Sequence, residues 1–280
     1  YYLCGGFNVL GRDVSLARNH FTHAEYSEFI EKANALSKNS KYHSKIFQKE
    51  AMRQGGITTP RVLFAQGKAT DPDQRKFDQA LEEIVGQRVV VKPDVDSGRG
   101  RGVQILKVTK NSGHIHLQRD ERTVYSYSDI SKLYKNAFLI EEVVQQHEWY
   151  KSIHPHSVNT FRIWIISDQR QEKYVLGYLR MGRGRRAIDN QSAGGLVSIL
   201  NADLKLGKIT DGGLERRIFT SHPDTHMAIE GNSPPMIADV ITFAKKALAA
   251  FPGLAFEGLD VAVTAEGPTL IEINPMPDRM

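Results

Sequence analysis

The stretch Asp260-Val-Ala-Val-Thr-Ala-Glu-Gly-Pro-Thr-Leu-Ile-Glu272-Ile-Asn274 decides how the rest of the chain is interpreted. An apolar run, turn residues at 266–268 and a second β-rich run predict a β-hairpin. Side chains alternate along a strand, so Glu272 and Asn274 share one face, and a turn centred on Glu266 places Asp260 opposite Glu272. Carboxylate and amide oxygens at this density suit Mg²⁺. The stretch therefore predicts a metal site; a half-exposed hairpin with a polar outer face is the alternative.

Length and composition are those of an ordinary globular protein. The 280 residues are enough for one large core or two linked ones, and the apolar fraction of 40% and charged fraction of 25% are ordinary. The one cysteine, Cys4, excludes an internal disulfide and a cysteine-rich metal site. We expect no membrane span and no signal peptide, and therefore a cytoplasmic protein. Because the chain opens on Tyr1 rather than methionine, its natural start is left open.

The net charge of +5 is unevenly placed. Four arginines fall within residues 180–186, and two more fall within residues 99–101 of a glycine-rich segment. Nucleic acid and polyphosphate would both be attracted to such patches. No helix-turn-helix, zinc-finger or RNP-like pattern accompanies them, so we expect a nucleoside triphosphate as the partner and no nucleic acid.

The order of predicted elements indicates an α+β fold. Helices are predicted at about 22–36, 42–54, 71–84, 128–135 and 236–250. Strands are predicted at about 61–65, 89–91, 102–108, 115–118, 138–140, 160–166, 174–179, 195–200 and 208–210. This order is mixed rather than strictly β-α-β, which favours antiparallel sheets.

A lysine followed by a glycine-rich loop forms the second informative segment. Lys92 ends the apolar run Val-Val-Val, and its ammonium group is placed to reach a phosphate. The loop that follows contains Ser97, Gly98 and Gly100, whose hydroxyl and backbone N–H groups suit phosphate oxygens. Strand rather than helix is predicted after Gly102, so this is not a dinucleotide-binding turn. A glycine-rich hairpin without a ligand is the alternative.

Two later strands carry unexpected polar residues. The strand at 138–140 finishes in acidic residues, and such a strand end can present backbone groups to an adenine edge, with Glu148 at the ribose hydroxyls; a solvated strand end is the alternative. Arg162 interrupts an apolar strand and needs an anionic partner, either a structural carboxylate or a phosphate. Downstream, Asp189-Asn190 favours a tight turn within a basic, glycine-bearing stretch.

The order of these features resembles the ATP-grasp superfamily. Ligases of that superfamily, such as D-alanine–D-alanine ligase, carry an early lysine, a strand lysine, a hinge glutamate with a ribose glutamate after it, and a terminal Asp…Glu-x-Asn metal motif. The matching residues are Lys45, Lys92, Glu141, Glu148, Asp260, Glu272 and Asn274. The stretch from His154 to Arg162 and the residues 189–195 are similar to the sugar-transfer-associated ATP-grasp group and, more loosely, to RimK-type amino-acid ligases.

The resemblance implies an ATP-grasp fold in which two α+β subdomains clamp ATP. It implies a short helical region at 1–85, a lid at 86–140 and a larger subdomain at 141–280 that holds the metal. The implied ligands are ATP and one or two Mg²⁺ ions, with Mn²⁺ as the alternative metal. The residues implied for ATP are Lys45, Lys92, Ser97, Gly98, Gly100, Glu141, Glu142, Val144 and Glu148. Those implied for catalysis are Arg162, Arg180 and Asn190, and those for substrate are His154, His156, Ser157, Asn159, Gly194 and Gly195.

The reaction implied by the resemblance is amide formation through an acyl phosphate. ATP phosphorylates a small-molecule carboxylate, and an amine then displaces phosphate; an amino acid, a peptide or a sugar-linked acid would serve as substrate. A kinase that phosphorylates a hydroxyl is the nearest alternative, and a non-catalytic nucleotide-binding module is another. His154-Pro155 shaping a turn is the alternative to substrate binding there. The sequence leaves the substrates and the oligomeric state open.

Two departures from the resemblance affect the site. Dipeptide ligases have an arginine two residues before the metal aspartate, where this chain has Gly258, so Arg162 or Arg180 must supply that charge. Where Pro-Gly usually follows the metal asparagine, this chain has Pro277-Asp278.

Overall fold

The computed structural model describes residues 23–34, 41–68, 72–95, 102–167, 171–184, 189, 194–211 and 217–277. The helices in these ranges are α1 (His23–Asn34), α2 (Lys45–Gln54), α3 (Gln74–Leu81), α4 (Tyr127–Leu133), α5 (Glu148–Ile153) and α6 (Ile237–Leu248). The strands are β1 (Val62–Gln66), β2 (Arg88–Pro93), β3 (Gln104–Asn111), β4 (His114–Gln118), β5 (Val124–Tyr125), β6 (Phe138–Glu142), β7 (Thr160–Ser167), β8 (Glu172–Met181), β9 (Leu196–Leu200), β10 (Leu206–Asp211), β11 (Ile218–Phe219), β12 (Phe256–Thr264) and β13 (Gly267–Asn274).

The first sheet has six antiparallel strands in the order β1-β6-β2-β3-β4-β5. Its core face packs against α3 and α4, with Phe77 and Ile130 fully buried among the strand residues. Alternation places Val89, Val91 and Ile140 in this core. The opposite face therefore carries Lys92 and Glu141.

The second sheet has seven antiparallel strands in the order β11-β10-β9-β8-β7-β12-β13. Helix α6 packs on one face, where Val240 and Ala244 join the main hydrophobic core. Helix α1 covers one end of the other face, where Tyr26 stacks on Trp164 at 6.2 Å between ring centroids. Away from α1, this second face carries four charged residues, which are Arg162, Arg180, Asp260 and Glu272.

Helix α2 connects the two sheets. Ser44 caps its N-terminus by accepting a hydrogen bond from Phe47 N, and the Ser44 hydroxyl donates to Asp94 Oδ1 just beyond β2. Gln48, one turn further on, donates to the carbonyl of Ile273 in β13. The same short helix is therefore anchored to the end of a strand in each sheet.

The predicted α+β class and the predicted hairpin are confirmed, with Asp260 directly opposite Glu272. The helix predicted at 42–54 begins only at Lys45, because Ser44 caps it and residues 41–43 form a 3₁₀ turn. The first sheet takes its edge strand β1 from before residue 86, the predicted start of the lid. The division into three domains stays a prediction. In the part of the chain that the structure describes, no helix has the length and apolar character needed to cross a membrane.

Candidate active site

A row of polar residues crosses the second sheet on the face opposite α6. Direct strand pairing sets Tyr178 of β8 beside Arg162 of β7, Arg162 beside Asp260 of β12, and Asp260 beside Glu272 of β13. Because directly paired residues share a face, all four side chains project from the same side of the sheet. Arg180, two residues along β8 from Tyr178, projects from that side as well.

Asp260 is the centre of this row and binds two arginines. Both its oxygens accept hydrogen bonds from Arg162, with Nη2 to Oδ2 at 2.9 Å, and Arg180 Nη1 lies 2.7 Å from Oδ2. Burial raises the pKa of Asp260, but the two guanidinium groups outweigh burial and lower it to about 2. The carboxylate therefore stays ionised and fixes both arginines in place.

Asp189 forms a second anchor for Arg180. Arg180 Nη2 lies 3.2 Å from Asp189 Oδ1, while Asp189 Oδ2 accepts hydrogen bonds from the backbone N–H (3.1 Å) and the hydroxyl of Thr160. Burial raises the pKa of the Asp189 carboxyl, although the Arg180 charge opposes this. Sequence reasoning took Asp189 only as a turn residue and missed this role. The neighbouring Asn190, predicted to be catalytic, lies outside the described residues.

Helix α2 directs two lysines towards the two sheets. Lys45 Nζ lies 3.3 Å from Glu272 Oε2, and Lys49 Nζ lies 2.7 Å from Glu141 Oε1. Lys92 Nζ lies 2.6 Å from the other oxygen of Glu141. Lys49 was not predicted as a site residue. The available signal was its spacing, because residues four apart on a helix lie on the same face.

The charges in this cluster shift one another's pKa. Burial lowers the pKa of Lys49 to about 8, with the Lys92 charge adding to the effect and Glu141 opposing it. Burial raises the pKa of Glu141, but Lys92 and Lys49 outweigh it and hold the pKa below its usual value. Glu141 is thus a buried carboxylate held ionised between two ammonium groups.

The other residues predicted for ATP are more exposed or lie outside the described ranges. Glu142 pairs with Arg61, and Val144 is half-buried. The Glu148 side chain is 84% exposed and lies 3.3 Å from Lys151 Nζ, at the start of α5. The three loop residues Ser97, Gly98 and Gly100 belong to the part of the chain that is not described. All of these assignments stay predictions.

The predicted substrate residues before β7 are mostly buried and bonded within the protein. His154 Nδ1 lies 2.8 Å from Ser157 Oγ, and its Nε2 lies 2.8 Å from the carbonyl of Gly184. Asn159 donates to Gln146 Oε1 and the Tyr150 carbonyl, whereas its own Oδ1 is buried and has no hydrogen-bond partner among the residues that the structure describes. The contact between His154 and Gly184 favours a role for His154 in shaping the backbone after β8.

The remaining predicted substrate residues differ in exposure. His156 and Gly194 are exposed, and Gly195 is buried. Substrate binding by any member of this group stays a prediction.

The hairpin residues fit a hard divalent cation by the chemistry of their oxygens. Glu272 and Asn274 lie two residues apart on β13, and Asp260 is paired with Glu272. Both oxygens of Asp260 are engaged by arginines, so the Glu272 side chain, which is 26% exposed, offers the more accessible carboxylate. Asn274 Oδ1 accepts from Met276 N at 3.2 Å, leaving a second lone pair. Among the described residues no cluster of three His, Cys, Asp or Glu side chains forms a metal site.

Fold and site together define an α+β protein in which charged faces of two antiparallel sheets are joined by one helix. A family model described as sugar-transfer associated ATP-grasp matches residues 25–279, and the chain belongs to that family. This confirms the predicted superfamily.

Two solved structures of enzymes resemble this chain at low sequence identity. An ADP complex of the N5-carboxyaminoimidazole ribonucleotide synthetase PurK is 13% identical, with a TM-score of 0.47, and the match covers 93% of this chain and 53% of that one. D-alanine–D-alanine ligase from Bacillus anthracis is 16% identical, with a TM-score of 0.42 and coverage of 84% and 57%. The chain spans about half the length of these proteins. A search of curated proteins found no match.

Proposed function

We propose that this protein is an ATP-dependent ligase that joins a carboxylate to an amine through an acyl phosphate. The observation that carries the proposal is the buried ionic network that connects the two sheets through α2. Its cations are Lys45, Lys49, Lys92, Arg162 and Arg180, and its anions are Glu141, Asp189, Asp260 and Glu272. Charges are costly to bury, and a network of this size on two facing surfaces suits a polyphosphate ligand.

Helix α2 sets the direction in which ATP would lie. Lys49 and Lys45 are four residues apart, about 6 Å along the helix axis, with Lys49 at Glu141 and Lys45 at Glu272. We place the adenine at the β6 end, near Glu141 and Val144, and the phosphates towards β13. Mg²⁺ would be held by Glu272 and Asn274, with Asp260 beside them, and would neutralise charge on the phosphates.

Arg162 and Arg180 are the residues we assign to phosphoryl transfer. Both guanidinium groups are held by Asp260, so they are oriented before substrate arrives and need no reorganisation. A carboxylate oxygen attacks the γ-phosphorus and ADP leaves. The amine nitrogen then attacks the acyl carbon, the acyl C–O bond to phosphate breaks, and the nitrogen loses a proton. This sequence needs no side-chain nucleophile.

Hydroxylamine tests the proposal because it traps an acyl phosphate as a hydroxamate. With ATP, Mg²⁺ and a panel of carboxylic acids, we expect hydroxamate and ADP in equal amounts with at least one acid. Arg162→Ala should lower hydroxamate formation by about a hundredfold, while ADP binding is largely retained. Arg53→Ala is the control, since Arg53 is an exposed arginine paired with Glu50.

Because Arg162 is buried, Arg162→Lys is tested in parallel: it keeps the charge and loses the two-pronged contact to Asp260. If no acid yields hydroxamate but an alcohol is phosphorylated, the ligase proposal is wrong and the protein is a small-molecule kinase.

A further inference from the structure

Two buried histidines from different parts of the chain hold residues 182–184, which directly follow β8. His222 Nε2 lies 2.9 Å from the carbonyl oxygen of Gly182, and His154 Nε2 lies 2.8 Å from the carbonyl oxygen of Gly184. A carbonyl oxygen only accepts hydrogen bonds, so both Nε2 atoms carry a proton and donate it. Both imidazole rings are fully buried, with their centroids 5.5 Å apart.

The second nitrogen of each ring fits the neutral form of the imidazole. The backbone N–H of Asp224 donates to His222 Nδ1 at 3.3 Å, so this nitrogen carries no proton. His154 Nδ1 lies 2.8 Å from Ser157 Oγ, whose hydroxyl group can donate to it. Burial lowers the pKa of the His222 imidazole below its ordinary value of 6.5, which favours the same neutral form.

A carboxylate and close packing complete the hold on these three residues. Asp224 Oδ2 accepts a hydrogen bond from the backbone N–H of Gly184 at 2.6 Å, so the N–H and the carbonyl of Gly184 are both bonded. A Cβ atom on Gly182 would overlap Ser157 Oγ and His154 Nδ1, so these side chains pack directly against the backbone. The side chains of His154, His222 and Asp224 are called the backbone clamp below.

The clamped residues lie between Arg180 and its anchor Asp189. Arg180 is two residues before residues 182–184, and Asp189 is five residues after them. Arg180 Nη2 lies 3.2 Å from Asp189 Oδ1, and Asp189 Oδ2 accepts from the backbone N–H of Thr160. Closing a chain segment costs conformational entropy, and the cost grows with the number of residues that are free to move. A fixed backbone at 182–184 therefore lowers the cost of bringing Asp189 to Arg180.

We propose that His154 and His222 are positioning residues for phosphoryl transfer, because the backbone clamp keeps Asp189 against Arg180. The inference rests on the proposed function, since it takes Arg180 as a residue of phosphoryl transfer. Both histidines act through the backbone and Asp189 rather than on the reacting atoms. Without the clamp, Arg180 is held by one carboxylate instead of two, so its guanidinium group is less well oriented when the substrate arrives.

Two substitutions of His222 test the proposal. Leucine has no donor for the Gly182 carbonyl, whereas a glutamine side chain offers an amide N–H in place of the imidazole Nε2–H. We expect His222→Leu to lower the single-turnover rate of hydroxamate formation about tenfold and to change ADP affinity less than about twofold, and His222→Gln to recover most of the rate. Asp224→Ala, at an exposed residue, should lower the rate about threefold. Asp203→Ala, at an exposed aspartate between β9 and β10, is its control.

An Asp189→Asn background shows whether the clamp acts through Asp189. In that background, His222→Leu should lower the rate by no more than about twofold, because the contact that the clamp supports is already lost. Equal losses of rate in both backgrounds overturn the proposal, and so does an ADP affinity that falls as far as the rate. If His222→Leu does not fold, Asp224→Ala replaces it in the same comparison, with the same outcomes.

Failure of the ligase function and failure of the clamp give different results. If an alcohol is phosphorylated and acids are not, the ligase function fails, and the rate of transfer to the alcohol is compared in the same variants. If neither class turns over, urea unfolding of the His222→Leu, Asp189→Asn and double variants tests the clamp without any reaction. A double variant that loses less stability than the sum of the two single losses supports the clamp. Strict additivity refutes it.

Discussion

Gly258 leaves the space that the Arg162 side chain occupies: a Cβ atom on Gly258 would lie 3.0 Å from Arg162 Cδ. The two residues are on neighbouring strands, and Arg162 reaches Asp260 across this gap. Where dipeptide ligases have an arginine, this chain has Gly258, and an arginine from the adjacent strand, Arg162, fills the space beside it.

Gly258→Ala should destabilise the protein by about 1–3 kcal/mol, because the added methyl group meets Arg162 and Pro277 in a packed region. In an Arg162→Ala background the same substitution should cost less, since one of the two obstructing side chains is gone. Urea unfolding of the two single variants and the double variant gives the coupling energy. Strict additivity would show that Arg162 does not depend on the space at Gly258.

Lys92→Ala should weaken ADP binding by about tenfold or more, because it removes a charged group proposed to contact phosphate. Lys49→Ala should weaken binding too, by leaving Glu141 with one cation instead of two. Calorimetry with Lys110→Ala as control, an exposed lysine paired with Glu82, measures both effects. Affinities equal to that of the control would show that Lys92 and Lys49 do not contribute to nucleotide binding.

The hairpin was predictable because its information is local. Alternating residues, a Glu-Gly-Pro turn and two flanking carboxylates are enough to pair Asp260 with Glu272. Asp189 was not predictable in the same way, because its partner Thr160 is 29 residues away in sequence and is reached only after β7 and β8 have paired. Nor does sequence reveal that His154 is buried, since its neighbour Gly184 comes from a distant loop.

Asp189→Asn should lower the rate of phosphoryl transfer by about tenfold or more while leaving ADP affinity nearly unchanged. The asparagine keeps the shape and a hydrogen bond to Thr160 but loses the ion pair that holds Arg180. Single-turnover kinetics and calorimetry separate these two quantities. Thr160→Val, which removes only the hydroxyl contact, should have a smaller effect. If affinity fell as much as rate, Asp189 would not act through Arg180.

The buried carboxyl group of Glu257 should make the free energy of unfolding of the protein decrease as pH rises. This residue is fully buried on the core face of β12, and within the described ranges neither carboxyl oxygen has a hydrogen-bond partner. Burial raises the pKa of the Glu257 carboxyl well above its ordinary value of 4.5. At pH values between the ordinary pKa in the unfolded chain and the raised pKa in the folded protein, the folded protein holds a proton that the unfolded chain has released. The free energy of unfolding therefore falls as pH rises.

Glu257→Gln removes this dependence on pH. The free energy of unfolding of the variant, minus that of the wild-type protein, should therefore increase between about pH 5 and about pH 8. Urea unfolding at both pH values measures the difference. Glu266→Gln, at an exposed residue of the hairpin turn, is the control. A constant difference across this pH range would mean that Glu257 ionises normally in the folded protein.

We propose that the β12–β13 hairpin holds Mg²⁺ against the phosphates of a nucleotide, with Glu272 as the carboxylate that binds the metal. The most direct measurement is the ratio of ADP affinity with Mg²⁺ to ADP affinity without it, in the wild-type protein and in folded Glu272→Gln. We predict a ratio of about ten or more in the wild-type protein and close to one in the variant, because the variant lacks the carboxylate that would hold the metal. A tenfold ratio corresponds to about 1.4 kcal/mol of metal-mediated binding. A Glu272→Gln variant that keeps the wild-type ratio would show that Glu272 does not hold the metal.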